Sequence, residues 1–464
     1  MTMDTKIRER IQAIVGKENV LWKDPDLQVY SYDAGLDKGK AGLVVFPSDG
    51  KQVAEIVKVH FENGLSYVAR GSGTNLTGGT IPMNGGTVIE ISRMNRILEM
   101  DLENERVIVE PGIFNLTLQN ALAEKGYYYA PDPASQKVAT LGGNVGENSG
   151  GPHCLKYGVT SNHVMGAEVV LPNGEMTWIG GKSLDAPGPD IMGLLVGSEG
   201  TLGIATKIVC RIMRMPERVV TMLVIFNDVE SAGQTVSDII ADGIIPATLE
   251  IMDNVVIRAV EESVHAGYPV DAEAVLIIEL DGLTDGMDEQ MKRIVEICEQ
   301  DGAVSHRMAK DANERNELWM GRRNAFGAVA RVRPAYLVCD GTVPRTELPK
   351  ALAAVKAIGK KYNLPIGNVF HAGDGNLHPL IMFDDRDADE LERVQKAGSE
   401  ILKACADLGG TISGEHGIGV EKLRDMKFVF TDADINMMRG VSVGIDPNGL
   451  CNPGKLIPRK EMAN

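Results

Sequence analysis

Three glycine-rich stretches fall within the first 205 residues: Arg70-Gly-Ser-Gly-Thr-Asn-Leu-Thr-Gly-Gly79, Leu141-Gly-Gly-Asn-Val-Gly-Glu-Asn-Ser-Gly-Gly151 and Leu195-Val-Gly-Ser-Glu-Gly-Thr-Leu-Gly-Ile204. Glycine lets the backbone approach a ligand closely and turn its N–H groups toward an anion. In the first stretch Ser72, Thr74 and Asn75 add donors of their own. A single such loop reads equally well as a linker. Three together point to one extended ligand lying across a domain, with a diphosphate in its middle. A dinucleotide on a Rossmann fold is disfavoured. Gly71-Ser-Gly-Thr-Asn-Leu76 has leucine where the third fingerprint glycine belongs, and it runs on without a helical pattern. Gly181-Lys-Ser183 imitates the end of a Walker loop, but Met176 stands where its first glycine is required.

A second constellation lies near the other end. His371-Ala-Gly-Asp374-Gly-Asn376-Leu-His378 and Ser413-Gly-Glu415-His416-Gly-Ile-Gly contain three of the chain's eight histidines. Imidazole and carboxylate together suit a divalent metal, and the same groups do general acid–base work. Taken singly, Gly-Asp and Gly-Asn steps are ordinary turn chemistry. The coincidence of two clusters favours an active site.

Composition narrows the class. At 464 residues the chain exceeds one ordinary core, so two or three domains are expected. Its 44% hydrophobic and 24% charged residues describe a globular enzyme. A net charge of −17 without a basic block argues against nucleic acid. No apolar run is long enough to span a bilayer, and the start lacks a signal peptide's hydrophobic region, so the expected compartment is the cytoplasm. The six cysteines include no Cys-x-x-Cys pair, so neither an iron–sulfur cluster nor a zinc ribbon is expected. A redox enzyme of this composition hands its electrons to another chain or to a soluble carrier.

Apolar alternation predicts strands at Leu43–Phe46, Tyr67–Ala69, Thr87–Ile91 and Arg106–Glu110, with Ser48 capping a helix and another helix near 115–125. Residues 131–158 show little periodicity. From about residue 216 the pattern becomes strand, helix, strand, and it recurs, which predicts an α+β sheet with helices on one face. The expected division is 1–215, 216–425 and a C-terminal segment 426–464 that returns to the first domain.

These motifs carry a resemblance. The 70–79 loop, Pro131-Asp-Pro-Ala-Ser135, Gly142-Gly-Asn-Val-Gly-Glu-Asn-Ser-Gly-Gly and Val196-Gly-Ser-Glu-Gly-Thr-Leu-Gly-Ile resemble the FAD domain of the vanillyl-alcohol-oxidase (PCMH-type) superfamily. Within it, His371–His378, Gly414-Glu-His-Gly-Ile-Gly and Asn452-Pro-Gly-Lys455 resemble the FAD-linked D-2-hydroxy-acid dehydrogenases, a family that includes D-lactate dehydrogenases and the catalytic subunit of bacterial glycolate oxidase. The resemblance runs from about Pro47 to Lys455. It implies an α+β architecture: an FAD-binding domain of two subdomains, a ferredoxin-like substrate domain and a returning C-terminus.

The same resemblance assigns residues. Arg70, Gly71, Ser72, Gly73, Thr74 and Asn75 would hold the pyrophosphate. Ser135, Thr140, Gly142, Gly143, Asn144, Gly150, Gly158, Glu199, Gly203 and Ile204 would line the rest of FAD, with Asn452 near the flavin ring. His153 and Cys154 invite a covalent flavin, which the family generally lacks. His371, His378 and Glu415 would hold zinc, iron or manganese, His416 would be the general base, and Arg323 would take the substrate carboxylate. Asp374 and Asn376 would make supporting or substrate contacts. Relatives that take the longer 2-hydroxyglutarate carry a lysine where this chain has Val338 or Cys339, which favours a small monoacid, D-lactate first. An electron-transfer flavoprotein or an iron–sulfur subunit is the expected acceptor. Glycolate oxidation, another flavoenzyme activity of the superfamily, and an electron-relay subunit without its own substrate are the alternatives.

Overall fold

The computed structural model describes residues 4–83, 85–183 and 187–458. The chain divides into two compact units. Unit 1 takes the chain up to Gly150, Gly158–Met215 and everything from Glu415 onward; unit 2 takes Gly151–Tyr157 and Pro216–Gly414.

Unit 1 is built on two sheets. In the first, Leu43–Val45, Thr87–Glu90 and Tyr67–Arg70 run parallel in that spatial order, with Val20–Leu21 antiparallel at the edge. The parallel strands are buried almost throughout, with Val44, Val68, Val88 and Ile89 inside, as sheets covered on both faces require. The helix Gly50–Asn63 buries Val53, Ile56, Val57 and His60 on one face. Its cap is Asp49 rather than the expected Ser48: the Asp49 carboxylate accepts from the Lys51 and Gln52 N–H groups. The second sheet has five antiparallel strands in the order Ile97–Asp101, Arg106–Val109, Ile204–Arg211, Val164–Val170, Met176–Gly180.

One glycine-rich stretch is partly helical. Residues Leu141–Glu147 form two turns, although Gly-Gly-Asn is poor helix sequence. The Thr140 hydroxyl accepts from Gly143 N at 3.2 Å and starts the helix, while Leu141, Asn144 and Val145 bury one side.

Unit 2 carries a seven-stranded, wholly antiparallel sheet. Its order is Ser305–Met308, Arg218–Phe226, Ala274–Gly282, Thr248–Asp253, Ile366–His371, Pro379–Phe383, Ala335–Val338. In chain order the first four strands lie 4-1-3-2, the ferredoxin-like split βαβ arrangement. The last three form a smaller strand–helix–hairpin half. The halves join where Thr248–Asp253 pairs with Ile366–His371, and there Glu250 stands directly opposite His371.

Helices cover both faces of this sheet, not one. On one face Val236, Ile239, Ile294, Leu348 and Leu352 pack on Met222, Leu276, Ile278 and Phe370. On the other, Val256, Val260, Leu318, Trp319 and Ala325 pack on Leu223, Met252, Ile277 and Val369. Each valine, leucine, isoleucine, methionine or phenylalanine among them contributes about 1.5–3 kcal/mol when fully buried, so both faces need cover. The second face also holds a row of polar residues, and it is there that the site is built.

Candidate functional site

In unit 1 the glycine stretches converge. Arg70, Gly71, Gly142, Gly143, Glu199, Gly203 and Ile204 of the expected set line one cavity, together with Gly79, Gly146, Glu147 and Gly200. A Cβ at Gly146 or Gly200 would meet nothing within 4 Å, so these positions leave room against the ligand space. Gly200 also has φ +67° and Glu199 φ +52°. Backbone donors and one buried arginine fit a nucleotide with a diphosphate. Burial pushes the Arg70 guanidinium down, while Asp33 and Glu90 hold it charged.

The rest of the expected set shapes the surrounding backbone. Asn75 Oδ1 accepts from Thr77 N at 3.0 Å and Gly79 N at 2.7 Å, so this side chain folds its own loop. Ser72 donates to the Val138 carbonyl. Gly73 and Gly158 take φ of +69° and +83°, and Thr74 is half-buried. The Ser135 carbonyl accepts from Val138 and Ala139. Asn144 accepts from Asn115 at 3.3 Å. Asn452, 2% exposed, donates to the carbonyls of Gly79 at 2.8 Å and Glu199 at 2.6 Å, clamping two glycine stretches to the C-terminal segment.

The Ser413–Gly419 motif is held from two directions. In unit 2, Ser413 Oγ and Gly414 N donate to Asp340 at 3.0 and 3.1 Å. In unit 1, Glu415 accepts from Gly150 N at 3.1 Å. The His416 carbonyl accepts from Asn75 at 3.3 Å and Thr77 at 3.2 Å, and Glu199 takes the N–H groups of Ile418 and Gly419. These bonds draw the chain into unit 1 from Glu415, earlier than the expected residue 426.

In unit 2, His371 and His378 flank the connecting loop of the hairpin 366–383, buried to 5% and 1% exposure. Their rings meet edge to face, centroids 5.1 Å apart, and each offers a ring nitrogen within 4.8 Å of the other's. His371 Nδ1 lies 2.6 Å from Glu250 Oε1. A carboxylate only accepts, so Nδ1 carries a proton, and in the neutral imidazole this leaves the lone pair on Nε2. Glu250 Oε2 accepts from Arg322 Nε at 2.6 Å. Burial alone would raise the Glu250 carboxyl; the adjoining His371 and Arg322 outweigh it and hold it below its ordinary value. Two imidazoles oriented in this way fit a divalent transition metal. Asn376 is bridged to His371 and Thr342, and its Oδ1 is buried with no hydrogen-bond partner among the described residues. Asp374 accepts from Asn376 N at 3.2 Å.

Neither Glu250 nor Arg322 was expected. The signal was present: a glutamate within the apolar strand 247–251 is a buried charge that needs a partner. Of the arginine pair on the helix Ala312–Val329, Arg322 is 3% exposed and bound to Glu250, whereas Arg323 is exposed, its guanidinium 5.6 Å from the Trp319 ring centroid. His153 belongs to unit 2, with Nε2 3.5 Å from Glu279 and its ring stacked on Trp319; Cys154 beside it is half-buried.

The glycine-lined cavity suits a nucleotide cofactor, and comparison with known proteins supplies the family. Residues 41–180 match the FAD binding domain model, and residues 215–456 match that of the FAD linked oxidases, C-terminal domain. The chain belongs to the FAD-linked oxidase family of glycolate oxidase GlcD and D-lactate dehydrogenase. It is 43% identical to the glycolate oxidase subunit GlcD of Escherichia coli strain K12 over 454 residues, 97% of this chain and 90% of that one. To GlcD of Bacillus subtilis it is 41% identical, covering 98% of this chain and 97% of that one. To a D-lactate dehydrogenase of Anaerostipes hadrus it is 30% identical, covering 97% and 96%. Among solved structures, p-cresol methylhydroxylase with substrate bound superposes with TM-score 0.82 at 18% identity, covering 98% of this chain and 96% of that one, which shows the shared fold. No helix of the described residues is long and apolar enough to cross a membrane.

Proposed function

We propose that the protein oxidises a small D-2-hydroxy acid, D-lactate first, to the 2-oxo acid, with FAD as its cofactor and a divalent metal at the paired histidines. The observation that carries the reading is the His371–His378 pair with Glu250 fixing one ring. FAD, when bound, takes up the two electrons and the hydrogen leaving the substrate's Cα. A zinc, iron or manganese ion held by His371, His378 and Glu415 would lower the pKa of the substrate hydroxyl.

The chain's own residues do the rest. Arg70, Gly71, Ser72, Gly73, Thr74 and Asn75 hold the pyrophosphate; Ser135, Thr140, Gly142, Gly143, Asn144, Gly150, Gly158, Glu199, Gly203, Ile204 and Asn452 complete the FAD site. His416 accepts the hydroxyl proton on its imidazole. Arg323 grips the substrate carboxylate through its two-pronged guanidinium. Asn376 lends its carboxamide to orienting the substrate. Electrons then pass to a separate electron-transfer flavoprotein or iron–sulfur subunit, in the cytoplasm.

Glycolate is the second reading, favoured by the two relatives above 40% identity whose names specify glycolate oxidase. Steady-state turnover with an artificial electron acceptor separates the two. The proposal expects kcat/KM for D-lactate to exceed that for glycolate by about tenfold or more, with both lost on chelation. The reverse preference assigns the chain to glycolate; equal turnover after complete metal removal sinks the metal.

A further inference from the structure

Glu279, 1% exposed, sits on the same face of the sheet as Glu250 and is the hub of a second network. Arg315 donates to it twice, at 2.8 and 2.7 Å, the Trp319 indole N–H at 2.9 Å and the Thr221 hydroxyl at 2.5 Å. His153 Nε2 stands 3.5 Å away, and its ring lies against Trp319 at 6.3 Å between centroids, 26° from parallel. Trp319 is thus fixed by burial, by its N–H bond and by an aromatic neighbour. Arg323 lies one helical turn on, at i+4, with its guanidinium over this immobilised ring.

An exposed arginine ordinarily spreads over many rotamers, and freezing it on a ligand costs side-chain entropy. A fixed indole face removes much of that freedom before a ligand arrives. The positive charge of Arg315 also neutralises Glu279, which would otherwise repel an incoming carboxylate.

We propose that Trp319, anchored by Glu279 and His153, is a positioning residue that presents Arg323 to the carboxylate of the hydroxy acid. This rests on the role given to Arg323 above. Trp319 touches no reacting atom, so its removal weakens binding more than chemistry.

The test is a double-mutant cycle in the holoenzyme with Trp319→Leu and Arg323→Ala. KM for D-lactate, or for glycolate if that is the substrate, and the dissociation constant of the corresponding 2-oxo acid from the oxidised protein are both measured. Trp319→Leu is expected to raise both constants about tenfold, with kcat falling less than about threefold. In the Arg323→Ala background the same change is expected to add almost nothing, because the side chain it positions is gone. Trp319→Phe, which keeps an aromatic face, is expected to restore most of the loss. Full, independent penalties in both backgrounds, or a fall in kcat with KM unchanged, overturn the proposal. If Trp319→Leu does not fold, Trp319→Phe and His153→Leu carry the same cycle with smaller shifts in the same constants. If Arg323→Ala alone leaves KM and product affinity unchanged, the role of Arg323 has failed and this inference falls with it; if only Trp319 is silent, Arg323 stands and the positioning is wrong.

Discussion

Glu250→Ala is expected to destabilise the protein by about 3–5 kcal/mol. Glu250 is fully buried between Arg322, itself 3% exposed, and His371. Removing the carboxylate leaves a guanidinium inside the protein without a counter-charge and the His371 Nδ1–H without an acceptor, which is the costly way to break a buried pair. Glu250→Gln keeps one acceptor oxygen and costs less, about 1–3 kcal/mol. The shift of the urea midpoint measures both, and an alanine variant within about 0.5 kcal/mol of wild type would contradict the network. The acid side carries a sign as well. Glu250 is held below its ordinary value of 4.5, so the stability it contributes is present above that pH and is lost as pH falls below it.

His416→Ala is expected to lower kcat by about 10²–10⁴-fold, the usual worth of a positioned general base. Flavin content should be retained, because two hydrogen bonds that seat this residue are made by its backbone. The His416 carbonyl accepts from Asn75 and Thr77, and a side-chain substitution leaves that carbonyl in place. Turnover per bound flavin therefore separates a lost base from a lost cofactor. Activity within about threefold of wild type removes His416 from the chemistry.

Much of this architecture was legible in the chain, for identifiable reasons. Glycines that need positive φ mark their loops openly, as Gly73, Gly200 and Gly203 do. Strand–helix alternation after residue 216 foretold the α+β sheet of unit 2. Other features were hidden because tertiary contacts overrode local preference. Leu141–Glu147 is helical despite its glycines because Thr140 caps it and three of its side chains are buried. In the second helical layer of unit 2, the helix Ala312–Val329 was hard to read because its inner face carries Arg322 beside Leu318 and Trp319, so a polar residue breaks the apolar stripe. Glu250 and Glu279 belong to the same pattern of charges buried in pairs, each needing a partner distant in sequence. The return of the chain at Glu415 has no compositional mark; it follows from hydrogen bonds to Gly150, Asn75, Thr77 and Glu199.

The most direct test is anaerobic flavin absorbance of the metal-replete protein as D-lactate, L-lactate and glycolate are added in turn. The account predicts bleaching by D-lactate in preference to the others, abolished by a chelator and restored by zinc, iron or manganese. An FAD-loaded, metal-replete protein whose flavin none of the three acids reduces would contradict it.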